Sequence, residues 1–362
     1  MKKRIWCAVS GHGFGHLSQV APILNELTKR IPDLRIHLTG NIPTALIQKL
    51  LNGPFTHDPQ NRDVGLIHDD PLIVNLTKTS QALRELHHNW PSRIQDETKL
   101  MSDWSPDLIL GDIPYLPMEA GYPLGVPTVA ISSLTWDQVV MAYFPPEKPE
   151  SQQWLQTMQQ GYAKTTLALL ATPALPHNPF PNTIPIAPIT TLGQPRTDEL
   201  RDTLKIAPQD HRPLILITLG GIPTHNLPIA AMQADDSFHW LVDSAIPPTH
   251  HIHPLSTVQH WPFQDLTASV NGILSKPGYG MAIAATAHQI PFLYVKRGTF
   301  PDETPISHWS EHHGRAMELS QAAFQQGDFG TPLRQLMQRT PPPAPQVNGA
   351  SVAADILIRQ FL

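Results

Sequence analysis

Apolar positions in this chain fall in short runs separated by amphipathic stretches, and the pattern starts over halfway along. Residues 5–9 (IWCAV) form an unbroken apolar run, as a strand covered on both faces requires. The chain then turns through glycines into residues 20–30, whose apolar positions have helical spacing. Residues 34–39 predict a second strand, 43–51 a short helix, and 76–99 a longer helix with Arg84, His87, His88 and Arg93 on its wet face. Strands are predicted at 107–111 and 127–132, on either side of a short helix at 117–125, and the pattern is helical from 138 to 170. In the second half, strands are predicted at 213–219, 237–243, 250–253, 270–274 and 291–297. Helices are predicted at 281–288, 310–325, 331–339 and 350–362. Strands alternating with helices at this spacing predict α/β domains with parallel, covered sheets.

Between the halves, residues 171–196 are rich in proline and lack a long periodic element. The expected organisation is a first domain at 1–172, a linker at 173–198 crossed in extended form, and a second domain at 199–340. A spacer and helix at 341–362 follow, with the first domain as a candidate surface to pack against. Residues 52–70 are polar with few apolar anchors and predict a loop over the site.

The length of 362 residues suffices for two ordinary domains, and 41% hydrophobic residues permit real cores. A formal charge of -5 and a pI near 6.4 argue against a general nucleic-acid binder. One cysteine, Cys7, excludes an internal disulfide framework and fits a reducing, cytoplasmic setting. The basic start at 1–4 precedes an apolar run too short for a signal peptide, and no stretch approaches the about 20 apolar residues of a membrane span. Peripheral membrane contact stays open, as does the oligomeric state. The 19 histidines invite a metal reading. Three adjacent pairs, 87–88, 250–251 and 312–313, suit neither the i, i+4 geometry of HExxH nor a CxxC-like spacing. Solvated histidines are the better reading, and no metal or other cofactor is expected.

The candidate chemistry gathers at the glycine turns. Residues 10–19 (SGHGFGHLSQ) lead from strand to helix, and Gly11, Gly13 and Gly15 allow a sharp turn with room for a ligand against the main chain. The order is not GxGxxG and no GKS or GKT ending follows, so the usual phosphate loops do not fit. His12 and His16 beside the positive end of the new helix point to chemistry there instead. Gly220 and Gly221 form a second glycine turn after a strand. SKPGYG at 275–280 forms a third, whose backbone N–H groups and helix dipole suit a leaving diphosphate. Ligands of doubly wound domains bind at the carboxyl ends of the strands, where these turns fall.

Three segments, SGHGFGHLSQVAPILNEL, GDIPYLPMEAGYPLGVPTVAISSLTWD and LSKPGYGMAIAATAHQIPFLYVKRGTFPDE, resemble in order those of GT-B glycosyltransferases. The likeness is nearest to the glycosyltransferase-like half of plant L-arabinokinases. It reaches more distantly to the lipid II-forming N-acetylglucosaminyltransferase and the plant UDP-sugar glycosyltransferases, and it runs from residue 5 to about 320. The kinase half of arabinokinase has no counterpart in these residues, so sugar phosphorylation is not implied. What the resemblance implies is a GT-B fold, two Rossmann-like doubly wound domains facing across a cleft. It also implies an acceptor-side first domain, a second domain for a nucleotide sugar (a UDP-sugar favoured), and inverting transfer to a hydroxyl acceptor of unknown identity.

In the related plant enzymes the base is a histidine at the first helix, supported by an aspartate from a later strand end; His16 and Asp112 match those positions. Histidine suits proton removal near neutral pH, and a carboxylate on its far nitrogen fixes the tautomer. His12 is a rival base that the sequence does not separate from His16, and Asp112 as a local cap weighs about equally. Gly13, Phe14, Gly15, Trp136 and Asp137 fall on the acceptor side, although a packed Trp with a capping Asp explains the last two nearly as well. Donor binding falls to Gly220, Gly221, Lys276, Gly278, Tyr279, Gly280, Asp302 and Glu303. The plainer readings there are an exposed lysine and a solvated acidic loop. One departure stands out: relatives carry a ribose-gripping glutamate where this chain has Ala284. A degenerate GT-B module that binds a sugar nucleotide or a partner therefore stands as the alternative. A nucleotide-sugar epimerase ranks lower, since no acidic cluster flanks the cleft motifs, and a dinucleotide oxidoreductase ranks below that.

Overall fold

The structure is a computed structural model and describes every residue except 1, 13–14, 71, 177–178, 220–226 and 244–246. The first sheet contains β1 (Arg4–Val9), β2 (Arg35–Thr39) and β3 (Phe55–Asp58). A small antiparallel pair follows, β4 (His68–Asp70) and β5 (Ile73–Val74). The first sheet is completed by β6 (Leu108–Asp112), β7 (Thr128–Ser132), β8 (Leu167–Ala171) and β9 (Thr183–Ile186), in the order β3-β2-β1-β6-β7-β8-β9. The second sheet uses β10 (Leu214–Ile217), β11 (His239–Val242), β12 (Ile252–Pro254), β13 (Gly272–Ser275), β14 (Phe292–Tyr294) and β15 (Ala316–Glu318). Its order is β12-β11-β10-β13-β14-β15. Both sheets are parallel throughout, and each reverses its winding beside its first strand, at β1/β6 and at β10/β13. These are the topological switch points where doubly wound domains hold ligands.

Burial explains the unbroken apolar runs. In β1, Ile5, Cys7 and Val9 pack into one cluster while Trp6 packs on the opposite face with Met101, Ile109 and Ala120. Neither face meets water, so no polar alternation survives in the sequence.

Several element boundaries differ from the sequence reading, each for a local reason. The helix expected at 76–99 is two, Leu76–His87 and Trp90–Trp104, divided at Asn89, which has φ 56°. Asparagine tolerates that left-handed backbone better than most residues. The span 138–170 holds helices Trp136–Tyr143 and Pro149–Tyr162, parted at Pro145-Pro146, and then β8. The helix expected at 310–325 ends at His313; Gly314 follows, and Ala316–Glu318 becomes the last strand of the second sheet. The proline-rich stretch supplies β9, where Pro185 sits on an edge strand and costs no ladder bond on its open side.

The halves are joined by more than the crossing chain. The final helix, Gly349–Phe361, returns to the first one, Gly15–Arg30, where Arg30 bonds Asp355 at 2.7 Å and Ser351 at 2.8 Å. The Tyr279 hydroxyl, from the second half, donates to the Thr172 carbonyl at 2.9 Å and accepts from the Ile189 N–H at 3.1 Å. Phe300, also from the second half, is buried in the cluster that holds Leu66, Ile113 and Trp136 of the first.

Candidate functional site

At the first switch point, Val9 and Asp112 are register partners at the ends of β1 and β6. The Ser10 N–H donates to the Asp112 carbonyl at 2.7 Å, which keeps the chain beside β6 as it turns into the first helix. His16 is the second residue of that helix, and its Nδ1 meets Asp112 Oδ1 at 2.8 Å. Both side chains are buried, His16 to 7% and Asp112 to 1% exposure. A carboxylate on Nδ1 holds the proton of the neutral ring there and leaves the Nε2 lone pair free. Burial opposes the imidazolium, but Asp112 outweighs it, with Asp63 and Asp302 adding, and His16 ends above its ordinary pKa.

The loop expected over the site covers this pair, and it brings in side chains that the sequence did not single out. Asp63 is buried and accepts from the Trp136 indole N–H at 2.6 Å, while the Ser10 hydroxyl holds it as well. Burial pushes its carboxyl upward. The loop is pinned by Arg62, buried and bonded to Glu97 at 2.6 Å and Asp58 at 2.7 Å. It lies close against the site because residue 65 is glycine. A Cβ there would stand 2.6 Å from the Trp136 ring and 2.7 Å from His12 Nδ1. No periodicity marked this stretch in the sequence, since its anchors are charges and a glycine rather than an apolar stripe.

His12 sits among rings: His68 at 5.4 Å, Trp136 at 5.2 Å edge-on, and Phe300 at 6.4 Å nearly parallel. Burial, and then the repulsion a proton on His12 would meet from His16, His68, Arg297 and Lys276, push its pKa well below the ordinary value. Trp136 is fully buried at the start of its helix, with its N–H donating to the Tyr162 hydroxyl at 3.1 Å. It walls both histidines, 5.7 Å from the His16 ring. Asp137 faces away, accepting from Gln159 at 3.2 Å in the first turn of the helix, where its charge suits the dipole. Gly15 has nothing within 4 Å of a built Cβ. Gly13 and Phe14 lie outside the described residues, as do Gly220 and Gly221.

At the second switch point β13 runs into Lys276, and Gly278 caps the Tyr279–Ala287 helix. A Cβ at Gly278 would meet only Lys276 Cε at 4.0 Å, and one at Gly280 nothing at all. Among the described residues, no side chain other than Lys276 crowds these two glycines at the helix start, where backbone N–H groups lack intrahelical partners. Lys276 is half-buried rather than exposed; burial, then Arg297, pushes it down to about 8. Among the described residues its ammonium makes no ion pair within 4.0 Å.

Two donor-side candidates already carry partners. The Tyr279 hydroxyl is taken up by Thr172 and Ile189, so this side chain joins the halves. Glu303 is buried, and each of its oxygens has a partner, accepting from Arg297 Nε at 2.6 Å and the Arg297 backbone N–H at 2.9 Å. Asp302 differs. It is buried, Arg297 Nη2 stands 3.5 Å from its Oδ1, and that oxygen has no hydrogen bond. Burial raises its carboxyl to about 6. The acidic loop is thus neither solvated nor uniform. The absence of an acidic cluster read from sequence is also corrected: Asp63, Asp112 and Asp302 all bear electrostatically on His16. Among the described residues no group of three or more His, Cys, Asp or Glu is placed to hold a metal ion, and no helix is long and apolar enough to cross a membrane.

No family model matches the chain. An Arabidopsis thaliana L-arabinokinase is 21% identical over 357 residues, which is 96% of this chain and 33% of the relative; the chain spans about a third of that relative's length. Among solved structures, the glycotransferase of kitacinnamycin superposes with a TM-score of 0.68 at 13% identity, covering 99% of each chain. The UDP-GlcNAc 2-epimerase of Neisseria meningitidis, bound to UDP-GlcNAc, superposes with a TM-score of 0.58 at 14% identity, covering 99% of this chain and 100% of that one. The chain has the GT-B fold, two Rossmann-like domains with their switch points facing each other.

Proposed function

We propose that the chain is an inverting glycosyltransferase that moves a sugar from a nucleotide donor, UDP-linked in the favoured reading, to a hydroxyl acceptor. The acceptor oxygen bonds to the anomeric carbon as the bond from that carbon to the diphosphate breaks. The acceptor proton passes to His16 Nε2, and Asp112 supports the imidazolium that forms. Charge building on the departing diphosphate is met by the N–H groups at Gly278–Gly280 and by Lys276. Asp302 offers its unpartnered oxygen to a donor hydroxyl. His12 has no carboxylate on its ring, which favours His16 as the base.

The observation that carries this reading is the buried His16–Asp112 pair at 2.8 Å, with the helix start at Tyr279 of the other domain within electrostatic reach of Asp112. A thermal-shift screen with UDP, GDP, dTDP and their sugars tests it. One nucleotide family is expected to raise the melting temperature by linkage, and Gly278→Asp to abolish the shift. No shift with any nucleotide contradicts a transferase and leaves Ala284 as the mark of a module without a donor site.

The buried carboxylates Asp63, Asp112 and Asp302 favour one second reading, epimerisation of a nucleotide sugar. Conversion of UDP-GlcNAc to its C2 epimer without any acceptor would establish it; release of UDP that requires an acceptor would dismiss it.

A further inference from the structure

We propose that His68 and Phe300, one from each domain, build the pocket for the second substrate, and that this substrate is a carbohydrate. The inference rests on the reading of the chain as a sugar transferase and names the acceptor class for it.

The first observation is a set of unused polar atoms. Both ring nitrogens of His68 are buried and make no hydrogen bond; the Asp70 backbone lies near but outside bonding geometry. Buried polar groups are nearly always paired, so an imidazole with both nitrogens idle marks a place for a partner. Burial pushes His68 down to about 4, so near neutral pH it is an uncharged ring with one donor and one acceptor. A hydroxyl group, which both donates and accepts, matches it. Asp112 Oδ2, on the carboxylate that holds His16, is also buried without a hydrogen bond. Several idle donors and acceptors around one base call for a ligand with several hydroxyls.

The second observation is the apolar wall. Phe300 is 4% exposed although it reaches across from the second domain, where the Arg297 guanidinium stacks on it at 3.5 Å. Its ring lies 6.4 Å from His68 and 6.4 Å from His12, with Trp136 on the far side of His12. Aromatic faces with a few convergent polar atoms suit a small ring that has a C–H face and a hydroxyl rim. A flat aromatic acceptor would fill the apolar wall but bury the idle nitrogens of His68 unpaired, at a cost. Since Phe300 comes from the other domain, the pocket is complete only when the two domains are together.

The test is saturation-transfer NMR on the full chain with D-glucose, D-xylose, L-arabinose and 4-nitrophenol, each with and without UDP. At least one monosaccharide is expected to bind. His68→Phe should weaken it about tenfold, the loss of one or two hydrogen bonds, and His68→Gln should recover part of that. Phe300→Leu should weaken it while the UDP thermal shift stays as in the wild type. Binding of 4-nitrophenol in place of sugars overturns the proposal, and so does the failure of every monosaccharide with and without UDP. Equal weakening of UDP and sugar in His68→Phe also overturns it, by assigning His68 to the donor or to the fold. Failure of the transferase reading shows separately, as sugar binding that depends on His68 in a protein that no nucleotide shifts.

Discussion

The two switch points share a topology and are furnished in opposite ways. At β1/β6 the carboxyl ends are crowded with side chains paired to one another: His16 to Asp112, Asp63 to Trp136 and Ser10. At β10/β13, among the described residues, nothing outside the helix's own chain stands within 4 Å of a Cβ built at Gly280, and Lys276 makes no ion pair. The first arrangement sets the protonation of one imidazole. The second leaves backbone N–H groups and a positive charge for an anion to satisfy. Under the proposed function, a single fold used twice separates proton transfer from diphosphate binding, and each half should fail in its own way when altered.

His16→Ala should give the largest effect, a fall in transfer of about 10²–10⁴-fold, the usual contribution of a general base. Turnover assays under saturating donor read it. Asp112→Asn should cost less in rate and more in pH dependence. The base must be neutral to work, so activity is lost as pH falls through the raised pKa of His16, above the ordinary 6.5. Removing the carboxylate takes away its main support and moves that limb toward acid, which a kcat/KM profile from pH 5 to about 9 would show. If the limb stays put, Asp112 does not act on the base.

Smaller effects sharpen the contrast in stability. Tyr279→Phe deletes two contacts that join the halves and should cost about 1–2 kcal/mol without altering nucleotide affinity. Denaturant melts and a UDP titration separate the two. Acid should also weaken the fold. His68, His87 and His253 are each held near 4 in the folded chain against 6.5 unfolded, so the unfolded state takes up their protons first. Their stability is present above about 6.5 and is lost as pH falls toward 4. Asp302, raised to about 6 from 3.8, works in the opposite direction with the raised carboxyls of Asp63, Glu97, Asp112 and Asp137, while the lowered His12, His37, His239, His288 and His313 add to the loss. The melting temperature should therefore drop between pH 6.5 and 4.5.

Much of this contrast was legible in the chain. Unbroken apolar runs followed by glycine turns read as buried parallel strands opening into helices, and His16, Asp112 and Lys276 all fall at strand ends. The elements missed were those whose neighbours imitate something else. Residues 167–171 continue a helical pattern across a double proline, and 316–318 hide behind Gly314 inside an amphipathic stretch. Asp63 and His68 were invisible for another reason. Their positions depend on Arg62 meeting Glu97 and on Gly65 lying against Trp136, contacts between residues far apart in the chain that no local period encodes. The partners of Glu303 and Tyr279 were hidden as well, because a side chain's type says nothing of whether Arg297 or the Thr172 carbonyl already holds it.

The division of labour is tested most directly by isothermal titration of UDP into the wild type, His16→Ala and Gly278→Asp side by side. The account predicts that His16→Ala binds UDP as the wild type does, while Gly278→Asp, with a carboxylate placed at the open helix start, binds at least tenfold more weakly. Equal loss in both variants, or loss in His16→Ala alone, would contradict it by placing the nucleotide at the first switch point.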